Sequence, residues 1–177
     1  QFIADTGKNA DRYAVNPYLN AAIEQMNQQQ WPQALTFLEA AIERRPQMAS
    51  LHLYLAQCLL QEKKFAEARQ YLASGRQHDY TRAMSQEFDD LKRLIDNHEF
   101  ASRIDQAVPC MEKPDWQGAL RYLSKAIEID SHHPLAHAYR ANCLLQRGIM
   151  EFNQAQTALR QMELQIREFD SNLIPMT

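Results

Sequence analysis

The sequence is short of the residues that sheets and tight loops need. Its 177 residues include 4 Gly and 2 Val, against 23 Ala, 19 Leu and 19 Gln. A sheet would lack β-branched residues and turn formers, so an all-β or doubly wound fold is excluded and helix is favoured. So few glycines also leave nothing for a phosphate-cradling loop, and neither a nucleophile elbow nor an HExxH run occurs. Cys58, Cys110 and Cys143 are odd in number and widely spaced, a poor disulfide framework that reads as buried thiols in a reducing compartment. No apolar run approaches the roughly 20 residues that span a bilayer. No charged-then-apolar leader opens the chain, and Gln1 in place of Met reads as the start of a fragment or a processed product. Net charge is −3 with both signs interspersed, so no basic stripe offers the phosphate neutralisation that nucleic acid requires. The expected setting is cytoplasmic, with no nucleic acid partner and no membrane insertion.

What the chain does contain is an internal duplication. Residues 16–63 and 101–148 align without a gap at an offset of 85, with 16 identities in 48 positions. Trp31, Ala34, Leu35, Leu38, Ala41 and Ile42 recur as Trp116, Ala119, Leu120, Leu123, Ala126 and Ile127. His52, Tyr54, Ala56, Cys58, Leu59 and Leu60 recur as His137, Tyr139, Ala141, Cys143, Leu144 and Leu145. A shorter period lies inside: Trp31 and Phe65 are 34 residues apart, each followed by Ala after three residues and Leu after seven. Each unit reads as two helices. The first has the spacing of Leu19, Ala22, Ile23 and Met26, a polar turn such as 27–30 follows, and the aromatic opens the second. Pro17, Pro46 and Pro134 are expected at helix starts, and Pro32 suits a first helical position. Two helices with one apolar stripe each cannot bury it alone, so neighbouring pairs must stack.

These residues resemble the tetratricopeptide repeat (TPR) family, a 34-residue helix-turn-helix with small residues at close helix crossings. Ala34, Leu38, Ala41 and Pro46 carry the motif in the first unit, Ala56, Phe65, Ala68 and Leu72 in the second, and Ala119, Leu123 and Ala126 in the third. The fourth keeps Ala141, Leu144 and Gly148, then Phe152, Ala155 and Leu159 after two extra residues. The resemblance implies an all-α, right-handed α-solenoid of about four helix pairs with an extra helical segment in the middle. The expected divisions are a lead-in at 1–15 containing Phe2, Ile3 and Tyr13, a first pair of repeats at 16–80, an inserted or extended helix at 81–100, a second pair at 101–168, and a tail at 169–177. Met84, Phe88, Leu91 and Ile95 make the middle segment amphipathic, and a single helix running from about 82 into the third repeat is favoured. Pro109 is expected to kink or end that helix. Ala56 and Ala141 are expected at close crossings, where Leu would overpack.

Candidate chemistry is sparse. His133 and His137 are four apart, a spacing that metal ligands use on one helix face, and Asp130 and His132 lie nearby. But Pro134 is expected to open the helix and leave His132 and His133 in a turn, so no metal site and no cofactor are expected. Cys58 and Cys143 each have a His six residues earlier, about 9 Å along a helix, too far for a thiol–imidazole pair. No catalytic residue emerges, and the chain reads as a non-enzyme.

The resemblance places binding in a concave groove lined by the first helix of each pair. Groove residues are then Asn20, Glu24 and Asn27; Leu53, Gln57, Leu60 and Gln61; Asp105 and Glu112; and Ala138, Asn142, Leu145 and Gln146, with the register of the first and third repeats open by one residue. Side-chain amides can pair with the backbone of an extended peptide. The subgroup that grips the C-terminal carboxylate of Hsp70 and Hsp90 needs Lys, Asn and Arg at set places. Ile104, Val108 and Tyr139 stand there instead and only Arg140 fits, which counts against that partner. The expected function is a non-catalytic interaction module, a scaffold or adaptor that binds another protein or peptide. The alternatives are a secretion-type chaperone, which would dimerise and hold an unfolded client in an apolar channel through Leu53 and Leu60, and the regulatory region of a larger enzyme.

Overall fold

A computed structural model of the chain describes the backbone of residues 3–172 and the side chains of residues 15–167. Among the described residues there are seven helices and no strand: α1 (Ile3–Asn27), α2 (Trp31–Arg44), α3 (Ala49–Gln61), α4 (Phe65–His78), α5 (Ser85–Glu112), α6 (Trp116–Ile129) and α7 (Pro134–Asn172). The chain divides into two compact units, 1–99 and 100–177.

The duplication is visible in the helix ends. Shifted by 85, the end of α1, both ends of α2 and the start of α3 fall on the end of α5, both ends of α6 and the start of α7. The turns repeat as well. The Gln30 N–H donates to the Gln25 carbonyl at 2.8 Å, the Lys64 N–H to Leu59 at 2.9 Å, and the Asp115 N–H to Cys110 at 2.8 Å. This is the bond that closes a helix over a left-handed residue, and Gln29 and Lys63 have the required positive φ of 58°.

In unit 1, α3 is buried on two sides. Leu51, Leu55 and Cys58 pack with Val15, Ala22, Ala34, Leu38 and Ala41 of α1 and α2. Leu53, Ala56, Leu59 and Leu60 pack with Phe65, Ala68 and Leu72 of α4 and Phe88, Leu91 and Ile95 of α5. A helix between two layers must be apolar around most of its girth, and Leu, Ala and Cys make up most of α3. At Gly75 a Cβ would lie 2.7 Å from the Phe88 ring and 2.8 Å from His52 Cβ, so only glycine lets α4 approach this closely. Across the α4–α5 contact, Arg69 donates to Asp96 at 2.7 Å and also pairs with the largely buried Glu99; within α5, Lys92 reaches Asp96 at 2.8 Å. Burial alone would raise the Asp96 pKa, but the bonds from Lys92 and Arg69 outweigh it and hold the carboxyl below its ordinary range.

His52 is buried, and its Nε2–H donates to the Pro46 carbonyl at 2.7 Å. His137 makes the same bond to Ser131 at 2.8 Å, six residues back in each copy. Burial, with a smaller effect from nearby His78, lowers the His52 pKa despite the Pro46 bond, and Nδ1 has no partner. The folded state therefore binds the proton less readily than the unfolded chain. Stability should be fully present above the ordinary value near 6.5 and decline as pH falls below it. Denaturant melts between pH 7.5 and 5.5 should show this loss, and His52→Gln should flatten the slope. Equal slopes in the two proteins would remove His52 as its source.

Among the described residues of unit 2 one buried cluster forms. Ala107 of α5, Ala119 and Leu123 of α6, and Cys143 of α7 are buried, with Ile104, Met111, Trp116, Leu120 and Tyr139 packed against them. Three expectations are corrected here and in α1. Pro17 does not begin a helix, because α1 runs through it from Ile3, and of the two outcomes expected at Pro109, a kink or an end, the end is not seen, because α5 continues to Glu112. Each proline removes one N–H, but both rings are exposed, and Pro109 lies only three residues from its helix end, so little is lost. The third correction is larger: the fourth repeat's expected turn is absent, and α7 passes through Gly148 as one helix of 39 residues. The stretch 147–152 has one glycine but no proline, Asn or Asp to stop a helix, and an Arg147–Glu151 ion pair of 3.3 Å spans Gly148. As a result Ala141 is exposed, not set in a close crossing, whereas Ala56 is fully buried. Residues 1 and 2 and the end of the tail, 173–177, lie outside the described residues, as do the side chains of residues 1–14 of the lead-in.

Candidate functional site

Two of the thirteen expected groove residues are core. Leu53 and Leu60 are 6% and 2% exposed and belong to the α3–α4–α5 cluster, so neither can line a channel for a client. The physical reason is the two-sided burial of α3, which a stripe read from a single helix pair does not anticipate. In unit 1, Asn20, Glu24, Asn27 and Gln61 are exposed and Gln57 is half-buried. In unit 2, Asp105, Glu112, Ala138, Asn142 and Leu145 are exposed and Gln146 is half-buried.

Three of these residues converge. Glu112, Asn142 and Gln146 line a cleft of about 350 Å³ with Val108, Met111, Trp116 and Tyr139. Residues 108–112 come from the last turns of α5, Trp116 opens α6, and 139, 142 and 146 lie on one face of α7 at helical spacing. The cleft has an apolar and aromatic wall, two side-chain amides and one carboxylate. Val108, Met111, Trp116 and Tyr139 were absent from the expected groove because the same spacing marks them as packing residues. Three of them do both: Trp116, Met111 and Tyr139 touch the unit 2 core while half-exposed. Ala138 and Leu145 are not among the residues lining this cleft.

The remaining chemical candidates are committed elsewhere. The His133 ring stacks on Phe100 at 4.2 Å, and His137 is bonded to Ser131. Among the described residues no group of three or more His, Cys, Asp or Glu could hold a metal ion. Burial, reinforced by Glu62, pushes the Cys58 thiol up to about 11, and burial raises Cys143 as well, so neither is a thiolate at neutral pH. No described helix is long and apolar enough to cross a membrane.

No curated protein matches the chain. Among solved structures, the Arabidopsis OM64 TPR domain is similar at 14% identity, covering 75% of this chain and 96% of that chain, with a TM-score of 0.43. Residues 25–87 match the family model described as tetratricopeptide repeat, and they take in the turn after α1, all of α2, α3 and α4, and the start of α5. Residues 25–87 are therefore similar to the tetratricopeptide repeat, and within them α3 and α4 are joined through the same left-handed turn that joins α1 to α2.

Proposed function

We propose that the chain binds, without catalysis, an extended segment of another protein in the cleft of unit 2. The TPR architecture supports an interaction module in general, and the cleft supports this particular mode. The observation that carries the proposal is the placement of two amides, Asn142 and Gln146, beside the aromatic wall of Trp116 and Tyr139. An apolar side chain of the partner seats against the rings, which provide large contact area at low entropic cost. The amides, which both donate and accept, engage its backbone. Among the described residues lining the cleft Glu112 alone is charged, so a basic residue is favoured nearby and a terminal carboxylate is disfavoured. That is the reverse of the chemistry that would grip the Hsp70 or Hsp90 tail.

A phage-displayed library of short peptides, selected on the full chain, tests this directly. Selected peptides should share an apolar residue next to Lys or Arg. Tyr139→Ala should weaken their binding roughly tenfold or more, and Asn142→Ala by several-fold, the scale of one ring contact and one hydrogen bond. Unchanged affinity in both variants would place the binding surface elsewhere.

A further inference from the structure

On the face of α7 turned away from the buried Cys143, residues 138, 141, 145, 148, 152, 155, 159, 162 and 166 follow one another at alternating spacings of three and four. They are Ala138, Ala141, Leu145, Gly148, Phe152, Ala155, Leu159, Met162 and Ile166: a continuous seam of the kind that two helices share in a coiled coil, four heptads long. Every one of them is exposed, and the five large side chains are each more than half exposed.

The other half of the molecule shows what such a seam is built to touch. In unit 1, Leu53, Ala56 and Leu60 of α3 are buried with Phe65, Ala68 and Leu72 of α4. Their counterparts are Ala138, Ala141 and Leu145 on the near half of α7, and Phe152, Ala155 and Leu159 on the far half. Between α3 and α4 the chain reverses at Lys63, whose φ is 58°. Gly148 holds that place in α7, and there the helix runs on. Both sides of one interface thus lie on a single unbroken helix, which cannot fold onto itself.

We infer that this seam is covered by α7 of a second copy of the chain. The two helices lie antiparallel about a two-fold axis at Gly148–Ile149, exchanging the far halves that would otherwise have closed two hairpins. Residues 138–145 of each copy then lie on 152–159 of the other. The pairing is self-complementary: small Ala138 meets Leu159, Ala141 meets Ala155, and Leu145 meets Phe152, as an isologous contact requires. Gly148 falls at the axis, where a Cβ would meet nothing within 4 Å, so the helices are free to approach there. A foreign helix would have to reproduce a complement that the chain already carries. This surface is separate from the peptide cleft, which uses Tyr139, Asn142 and Gln146 on another face of α7.

Sedimentation equilibrium of the full chain should give a dimer, and Phe152→Glu should weaken its association roughly a hundredfold or more, because a carboxylate would be buried unpaired. Circular dichroism should show both units still folded in that variant. Disulfide trapping fixes the register. An equimolar mixture of Ala141→Cys and Ala155→Cys chains should yield a covalent dimer under mild oxidation. Neither variant alone should do so, since the two copies of either position sit about 20 Å apart along the helices. A monomer at every concentration, or a dimer that the mixture fails to trap, would overturn the inference. So would a monomeric Ala141→Cys, Ala155→Cys double variant that forms its disulfide within one chain, since α7 would then close as its own hairpin.

Discussion

Phe88→Ala is expected to cost about 3–5 kcal/mol, the largest loss from any single truncation considered for this chain. The ring is fully buried at the junction of three helices. It belongs to the cluster of Leu53, Ala56, Leu59, Leu60, Phe65 and Leu72, and it lies against the bare Cα of Gly75. Removing it takes away the transfer free energy of a whole aromatic ring. The space left behind closes poorly, because helices tied by short turns at 62–64 and by the Arg69–Asp96 bridge cannot slide into it. Urea melts should move to a much lower midpoint, and amide exchange should speed up first in α3, α4 and the near part of α5. A loss under about 1 kcal/mol would show that α5 does not lean on this ring.

Ala56→Leu should destabilise by about 3 kcal/mol, near the upper end for overpacking, while Ala141→Leu leaves the folding of unit 2 nearly unchanged. The two alanines are equivalent by the duplication, so the contrast isolates environment from sequence. Ala56 has no exposed surface, and α4 packs over it with Phe65, Ala68 and Leu72. Three extra carbons there must push α3 and α4 apart or force strained rotamers. Ala141 points away from its own unit. An added Leu there meets solvent in the isolated chain, so any cost falls on the association of α7. Denaturant melts at low protein concentration read the first effect, and the concentration dependence of the dimer reads the second. Equal losses at both positions would mean that α7 closes over Ala141 as α4 closes over Ala56.

The helical class, the pairing of helices and the duplication were legible in the sequence because they rest on local signals. Apolar spacing, aromatic openers and short polar turns recur with a period that survives substitution, and the helix ends of α2 and α6 fall at the same offset as the identities. The candidate site was legible only in its polar part. Glu112, Asn142 and Gln146 were marked as groove residues, whereas Trp116, Tyr139, Val108 and Met111 carry the same spacing as core and could not be told apart from it.

Composition and periodicity by themselves determined that this protein is helical and that its helices recur in pairs, since both features follow from helix propensity and a one-sided apolar stripe. Tertiary structure alone decided which stripe is covered. Leu53 and Leu60 are lost to the core because α3 lies between two layers, while Ala141, Leu145 and Phe152 stay open because the chain does not turn back at Gly148. The reason is physical: a turn of two or three residues is favoured or suppressed by about 1 kcal/mol of local preference. The burial of a whole helix face depends on what other elements bring to it, and no window of sequence contains that.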